Sequence, residues 1–508
     1  MLLMYCHAKL KNISQHTVIS AHLFLPDYSP MNRDSFYPAI ACFPLLLMLA
    51  GCAPMHETRQ ALSQQTPAAP VDTALPTALK NGWPDSQWWL EYHDNQLTSL
   101  INNALQNAPD MQVAEQRIQL AEAQAKAVAT QDGPQLDFSA DMERQKMSAE
   151  GLMGPFALND PAAGTTGPWY TNGTFGLTAG WHLDIWGKNR AEVTARLGTV
   201  KARAAEREQT RQLLAGSVAR LYWEWQTQAA LNTVLQQIEK EQNTIIATDR
   251  QLYQNGITSS VEGVETDINA SKTRQQLNDV AGKMKIIEAR LNALTNHQTK
   301  SLKLKPVALP KVASQLPDEL GYSLLARRAD LQAAHWYVES SLSTIDAAKA
   351  AFYPDINLMA FLQQDALHLS DLFRHSAQQM GVTAGLTLPI FDSGRLNANL
   401  DIAKAESNLS IASYNKAVVE AVNDVARAAS QVQTLAEKNQ HQAQIERDAL
   451  RVVGLAQARF NAGIIAGSRV SEARIPALRE RANGLLLQGQ WLDASIQLTG
   501  ALGGGYKR

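Results

Sequence analysis

The stretch FGLTAGWHLDIW, residues 175–186, alternates apolar with small or polar residues at every step. Phe175, Leu177, Ala179, Trp181, Leu183 and Ile185 share one face of an extended chain, and Gly176, Thr178, Gly180, His182 and Asp184 share the other. The pattern returns 205 residues later as MGVTAGLTLPIF, residues 380–391. Each copy leads into a run rich in Ala, Gln, Glu, Leu and Arg, residues 191–254 and 396–461, that reads as a very long helix. At 1.5 Å per residue the first run would reach about 95 Å. A chain dominated by helix therefore carries the same half-apolar strand twice.

The repeat extends beyond the strand. APDMQVA at 108–114 aligns with RADLQAA at 328–334 at a spacing of 220, and YQNGI at 253–257 aligns with FNAGI at 460–464 at a spacing of 207. An extra segment of about fifteen residues in the first half accounts for the change of spacing. The halves, 52–304 and 305–508, meet at the proline-bearing KPVALPKVASQLP, residues 305–317. Each predicts helix, strand, loop, strand, very long helix, tight turn and helix. The first strands are QLDFSADME (135–143) and DINLMAFLQ (355–363), and the loops GPFALNDPAAGTTGPW and QDALHLSDLFRHSAQQ are polar enough to lie outside a membrane. Alanine dilutes the apolar positions of the long helices, which favours close side-by-side packing over a bulky core.

The amino terminus speaks for export. YPAIACFPLLLMLAG, residues 37–51, is an apolar run too short for a typical transmembrane helix and ends in small residues before Cys52. Residues 1–51 read as a signal peptide, of which 1–30 form a non-structural extension ahead of MNRDSF at Met31. Leu49-Ala50-Gly51-Cys52 resembles a bacterial lipobox, which makes Cys52 the lipid-bearing first residue of the mature chain. By the same resemblance, Ala53 rather than Asp after the lipid site favours the outer membrane. Cys6 and Cys42 leave with the signal, so the mature chain can form no internal disulfide. A formal net charge of -2 over 508 residues gives no footprint for nucleic acid.

Two strand pairs make four strands per chain, too few to close a barrel in lipid. An open sheet edge there leaves backbone groups unpaired at several kcal/mol each, and single-chain outer-membrane barrels begin at about eight strands. The chain must share its barrel with copies of itself, and three copies supply twelve strands. The strands offer an apolar face for lipid and a small or polar face for a lumen, with Trp169, Tyr170, Trp181 and Trp186 available for an aromatic belt. A soluble sheet with one wet face is the competing reading of the alternation alone.

Six segments, in order, carry a family resemblance over the whole mature chain: WPDSQWW (83–89), HDNQLTSLINNAL (93–105), LLARRADLQAAHWYV (324–338), AAKAAFYPDI (347–356), LTLPIFDSGRLNANL (386–400) and ARFNAGII (458–465). The chain resembles the outer-membrane efflux proteins, the TolC-like and OprM-like channels, in the lipid-anchored branch that includes NodT. Asn95 and Ala329 stand where that family is expected to carry proline. The resemblance implies a mainly α fold with a small transmembrane β part: a homotrimer with a shared 12-stranded barrel, a long α-helical periplasmic barrel and an equatorial belt of shorter helices. It also implies a passive exit duct for drugs or other small molecules, fed by an inner-membrane pump through a periplasmic adaptor. A lipid-anchored porin-like or structural trimer without a pump is the alternative.

The turns Asn255-Gly256-Ile257-Thr258 and Ala462-Gly463-Ile464-Ile465 sit where a long helix must reverse, which requires a glycine able to take positive φ. In similar proteins such turns form the tip that docks the adaptor hairpin, so Gly256, Ile257, Thr258, Gly463 and Ile464 become docking candidates. Glu262, Glu265 and Glu472 match positions near the closed periplasmic entrance of TolC-like channels, where threefold symmetry makes each acid a ring of three. Arg469 stands where that pattern is usually acidic, and a solvated helix face with ordinary intrahelical pairs is the plain alternative. Arg327 and Arg328 before Asp330 read as helix braces at the equator, and Arg190 and Arg395 as openers of the long helices. His368 and His375 alone make a poor metal site. The terminal GGG at 503–505 lacks the lysine and helix start of a phosphate loop, and no zincin motif, nucleophile elbow, Walker A or dinucleotide fingerprint appears. No enzyme, cofactor or metal is expected beyond a covalent lipid on Cys52.

Overall fold

The computed structural model describes residues 83–146, 169–257, 259–296, 302–311 and 326–506, together with Met55, residues 62–64 and Ser148. The signal segment, Cys52, Thr258 and most of the first outer loop lie outside the described residues. In chain order the elements are a 3-10 turn (Trp88–Tyr92), α1 (Asn95–Asn107), α2 (Pro109–Ala129), β1 (Gln135–Lys146), β2 (Trp169–Leu183), α3 (Lys188–Gln254) and α4 (Ser260–Leu294). The second half repeats the last five of these as α5 (Ala329–Ala350), β3 (Asp355–Ala366), β4 (Gln378–Thr387), α6 (Arg395–Asn461) and α7 (Gly467–Ala501). The matched helices agree in length: α3 and α6 each have 67 residues, and α4 and α7 each have 35. At 1.5 Å per residue, 67 residues span about 100 Å.

The strands form one antiparallel sheet in the order β1-β2-β3-β4. Leu136 pairs with Ala179, Ala179 with Ala360 and Ala360 with Val382, and residues directly opposite share a face. Leu136, Phe138, Ala140 and Met142 thus line up with Phe175, Leu177, Ala179 and Trp181, then with Ile356, Leu358, Ala360 and Leu362, then with Met380, Val382, Ala384 and Leu386. Two belt candidates depart from this face: Trp186 lies beyond the end of β2, stacked on Tyr353 with its indole N–H on the Pro354 carbonyl, and Tyr170 faces the other way. An even-numbered residue of β2, it projects to the opposite face from Trp169 and Trp181, because side chains alternate along a strand.

In the helical part, α2 and α4 flank α3 on one side, while α5 and α7 lie between α3 and α6. Close approach explains the alanine content: Ala195, Ala202 and Ala205 are buried in α3, and a Cβ on Gly198 would meet Ser340 of α5 at 3.0 Å. The Ser340 hydroxyl donates to the Ala195 carbonyl at 2.7 Å along the same contact. At the equator Trp89, Leu97, Ile101, Ala215, Val218, Tyr222, Leu291 and Leu492 join the 3-10 turn, α1, α3, α4 and α7 in one core.

The helix starts show why the expected prolines are dispensable. Asp94 caps α1 by accepting from the Gln96 and Leu97 amides at 2.8 and 2.9 Å. It also receives the Tyr222 hydroxyl at 2.7 Å, which ties α1 to α3. At the second site Arg328 braces rather than caps. Its guanidinium grips Asp330 at 2.7 and 3.0 Å and donates to the Ala501 carbonyl at 3.2 Å, joining the start of α5 to the end of α7. The GGG segment serves that joint: Gly503, Gly504 and Gly505 all have positive φ, and a Cβ on Gly503 would strike the Arg327 carbonyl.

Candidate functional site

The sheet face opposite the apolar one has the chemistry of a water-filled lumen. It presents Gln135, Asp137, Ser139, Asp141, Glu143 and Gln145 from β1; Tyr170, Asn172, Thr174, Gly176, Thr178, Gly180 and His182 from β2; and Asp355, Asn357, Gln363 and Asp365 from β3, interrupted by Met359 and Phe361. From β4 it presents Gln379, Gly381, Thr383, Gly385 and Thr387. Five of these side chains are carboxylates, and among the described residues of this face none is Lys or Arg. Cations are therefore favoured within it.

Where sheet gives way to helix, two aspartates that the sequence reading overlooked start the long helices. Asp184 accepts from the Asn189 and Arg190 amides at 3.1 and 2.9 Å, and Asp392 accepts from the Gly394 and Leu396 amides at 3.0 and 2.8 Å. Arg190 and Arg395 lie in the first turns of α3 and α6. An aspartate two or three residues before a glycine that precedes a helical run was the available signal.

At the far ends of α3 and α6 the two tips are built alike. The Ile257 amide donates to the Leu252 carbonyl and Gly256 to Tyr253, both at 2.9 Å; Ile464 donates to Arg459 and Gly463 to Phe460 at the same distance. Gly256 has φ 68° and Gly463 φ 73°, the left-handed turn that glycine makes without a steric penalty. Ile257 and Ile464 project from these turns, 69% and 70% exposed. The two tips thus place equivalent exposed isoleucines at the ends of 67-residue helices.

Of the entrance candidates, Glu265 is exposed on α4, and Arg469 and Glu472 pair with each other across one turn of α7 at 2.7 Å. The Glu262 side chain lies outside the described residues. The cross-helix tie near this end uses residues that sequence reasoning missed: Arg474 of α7 reaches Glu241 of α3 at 3.3 Å and Gln457 of α6 at 3.2 Å. Arg274 of α4 pairs with Glu239 of α3 at 3.1 Å. Arg474 and Glu241 stand 233 residues apart, beyond the reach of any local motif. No group of three or more His, Cys, Asp or Glu fit to hold a metal occurs among the described residues.

An apolar-and-polar sheet continued by helices of this length defines a subunit of an envelope channel, and solved structures share that fold. The Campylobacter jejuni CmeC outer membrane channel matches with a TM-score of 0.76 at 19% identity, over 90% of this chain and 95% of that one. The Vibrio cholerae outer membrane protein VceC matches with a TM-score of 0.70 at 25% identity, over 84% of this chain and all of that one. The Outer membrane efflux protein family model matches residues 100–297 and 320–504. Among curated relatives, the multidrug resistance outer membrane protein MdtQ of Escherichia coli O6:H1 is 99% identical over 478 residues, 94% of this chain and 100% of that protein. MdtP of Shigella flexneri, also described as a multidrug resistance outer membrane protein, is 36% identical over 466 residues, 91% of this chain and 94% of its own length. The chain belongs to the outer membrane efflux protein family: it is a bacterial outer-membrane protein and forms part of an exit duct.

Proposed function

We propose that three copies of this chain close one passive duct through which drugs and other small molecules leave the cell. The carrying observation is the open four-stranded sheet, apolar on one face and mostly small, polar or acidic on the other, whose outer strands β1 and β4 each have an edge unpaired among the described residues. Lipid cannot satisfy those edges, so β4 of one copy must pair with β1 of the next. The helices support the same closure. Val113 and Leu120 of α2, Val264 and Ile268 of α4, and Leu409 and Val419 of α6 are exposed at the two ends of the helix row. Head-to-tail contacts of this kind build a ring when the rotation closes. Multidrug cargo is inferred from the descriptions of the relatives; selectivity then resides mainly in the pump, and no residue here has a catalytic role.

Within that reading, Gly256, Ile257, Thr258, Gly463 and Ile464 form the tip that meets a periplasmic adaptor, and Glu262, Glu265, Arg469 and Glu472 line the entrance above it. Cys52 carries the lipid, and residues 52–304 and 305–508 are the two repeats of the mature chain. The decisive experiment measures accumulation of a fluorescent cationic drug in cells lacking their other efflux ducts, with trimer formation confirmed. Pump-dependent lowering of accumulation is expected, and so is its loss on Gly256→Val, Gly463→Val, Ile257→Asp or Ile464→Asp while trimers persist. Unchanged accumulation with assembled wild-type trimers and the pump present would overturn the efflux role in favour of a porin-like or structural one. Radiolabelled palmitate should enter the wild-type protein and not Cys52→Ser.

A further inference from the structure

The apolar face of the sheet changes character at its end distal to the helices. Above Met142 the same face of β1 presents Arg144 and Lys146, both exposed, in register with Thr171 and Trp169 of β2. Arg144 lies 6.0 Å from the centre of the Trp169 ring. The loop between β3 and β4, residues 367–377, is read from its polar sequence as lying outside a membrane. It folds down onto this face: Leu369 and Leu372 occupy the space above Gly173, where an added Cβ would meet each of them at 2.9 Å. The Phe373 ring rests 5.6 Å from Phe175, yet Phe373 remains 85% exposed, and Arg374 follows it. Arg374 pairs with Asp371 of its own loop at 3.1 Å, and His368 and His375 flank the pair. The opposite face of the sheet at this level carries Asp141, Glu143 and Asp365, whereas this face carries Arg144, Lys146 and the Arg374–Asp371 pair.

We propose that this distal band is a collar for the phosphate groups of the outer-leaflet lipid, with Arg144, Lys146 and Arg374 as the phosphate ligands. Phe373 and Trp169 enter the boundary between acyl chain and headgroup. Position selects the occupant. The band continues the apolar face that meets the acyl chains, and it lies at the end opposite the helices, hence at the outer surface. Cations directly above an apolar band, with aromatic rings at the same level, meet an anionic lipid surface at headgroup depth. Trp169 and Trp181 share this face 12 residues apart, about 40 Å along a strand and about 30 Å along the normal once strand tilt is included, which matches the thickness of a membrane.

The inference rests on the sheet lying in lipid. A wild-type protein that formed no membrane trimer would fail that prior reading, whereas a trimer indifferent to phosphate would fail this one alone. The test uses delipidated trimer in detergent, titrated with a glycolipid bearing two phosphates on an acylated glucosamine disaccharide and with its phosphate-free form, bound lipid being counted by native mass spectrometry. The wild type is expected to bind the phosphorylated lipid about tenfold or more tightly, and Arg144→Glu/Lys146→Glu/Arg374→Glu to lose that preference. The milder Arg144→Gln/Lys146→Gln/Arg374→Gln variant covers the case in which charge reversal prevents assembly, and it should weaken the preference as well. Equal binding of the two lipids by the wild type, or a preference surviving in an assembled variant, overturns the proposal. Complete displacement of the lipid by excess inorganic phosphate would replace the lipid collar with a small-anion site.

Discussion

The two long helices are near-copies in length and in both ends, yet they stand in different company. Helix α3 is flanked on both sides, by α2 and α4 and by α5 and α7, whereas α6 has α5 and α7 as its principal neighbours. The exposed large aliphatic residues follow that difference: Leu197 and Leu213 on α3, against Ile402, Leu409, Val419, Ile445, Leu450, Val452 and Leu455 on α6. Duplication fixes what a segment folds into, and its place in the row fixes what it still has to bury. The apolar surface left over on α6 is the kind of face that a neighbouring copy would cover in the proposed ring.

The largest effect should come from attacking that leftover face. Leu409 and Val419 are 68% and 60% exposed in one chain, so Leu409→Glu/Val419→Glu should fold locally but lower the trimer fraction more than tenfold, since each buried, unpaired carboxylate costs several kcal/mol. Thr244→Glu on α3, exposed and polar in the single chain, should leave it unchanged; size-exclusion chromatography with light scattering tells the two apart, and equal trimer fractions would contradict the comparison. Next in size is the equatorial tie peculiar to α3. Asp94→Ala removes a helix cap and the acceptor of the Tyr222 hydroxyl together, with an expected loss of about 2 kcal/mol, and Tyr222→Phe about 1 kcal/mol, read from thermal unfolding of the trimer.

A pH experiment sharpens the same contrast at the α3–α5 contact. Burial first, and then the hydrogen bond that the Tyr337 hydroxyl donates to Glu206 at 2.8 Å, push the Tyr337 phenol from 10.0 up to about 12. A pKa raised by folding contributes stability that is fully present below pH 10 and is lost as pH rises through about 12, because the unfolded chain releases the proton first. Wild type should therefore lose stability between pH 10 and 12 more steeply than Tyr337→Phe, and parallel curves would remove this residue from the account. The smallest effect belongs to Arg469→Gln. Its pair with Glu472 is exposed and intrahelical, so unfolding should shift by under about 0.5 kcal/mol. A larger shift would mean that Arg469 has a partner in the assembled ring.

Much of this was legible in the chain itself. Period-two alternation marked the second strand of each pair, since a single slip would put Leu177 or Val382 on the other face, and the first strands follow a proline in each repeat. Glycine marked both tips because a reversing helix needs a positive φ, and proline-free, alanine-rich runs marked α3 to within a few residues. What stayed hidden depends on distance along the chain. Leu369 and Phe373 look like ordinary members of a polar loop until Gly173 and Phe175 are brought beneath them, about 200 residues away in sequence. The Arg474–Glu241 tie has no local signature, because its two residues stand 233 positions apart. The Arg469–Glu472 pair within α7 has the plain intrahelical geometry.

The free edges of β1 and β4 also bear on the safety of the membrane that holds the protein. A single chain's described strands form an open sheet, and in the proposed ring the hole comes into being only when the last edge is paired. Permeability is thus a property that no individual copy possesses. An orphaned or half-assembled subunit presents unsatisfied edges that disfavour insertion, not a leak, so the barrier function of the outer membrane is guarded by stoichiometry before any gate comes into play.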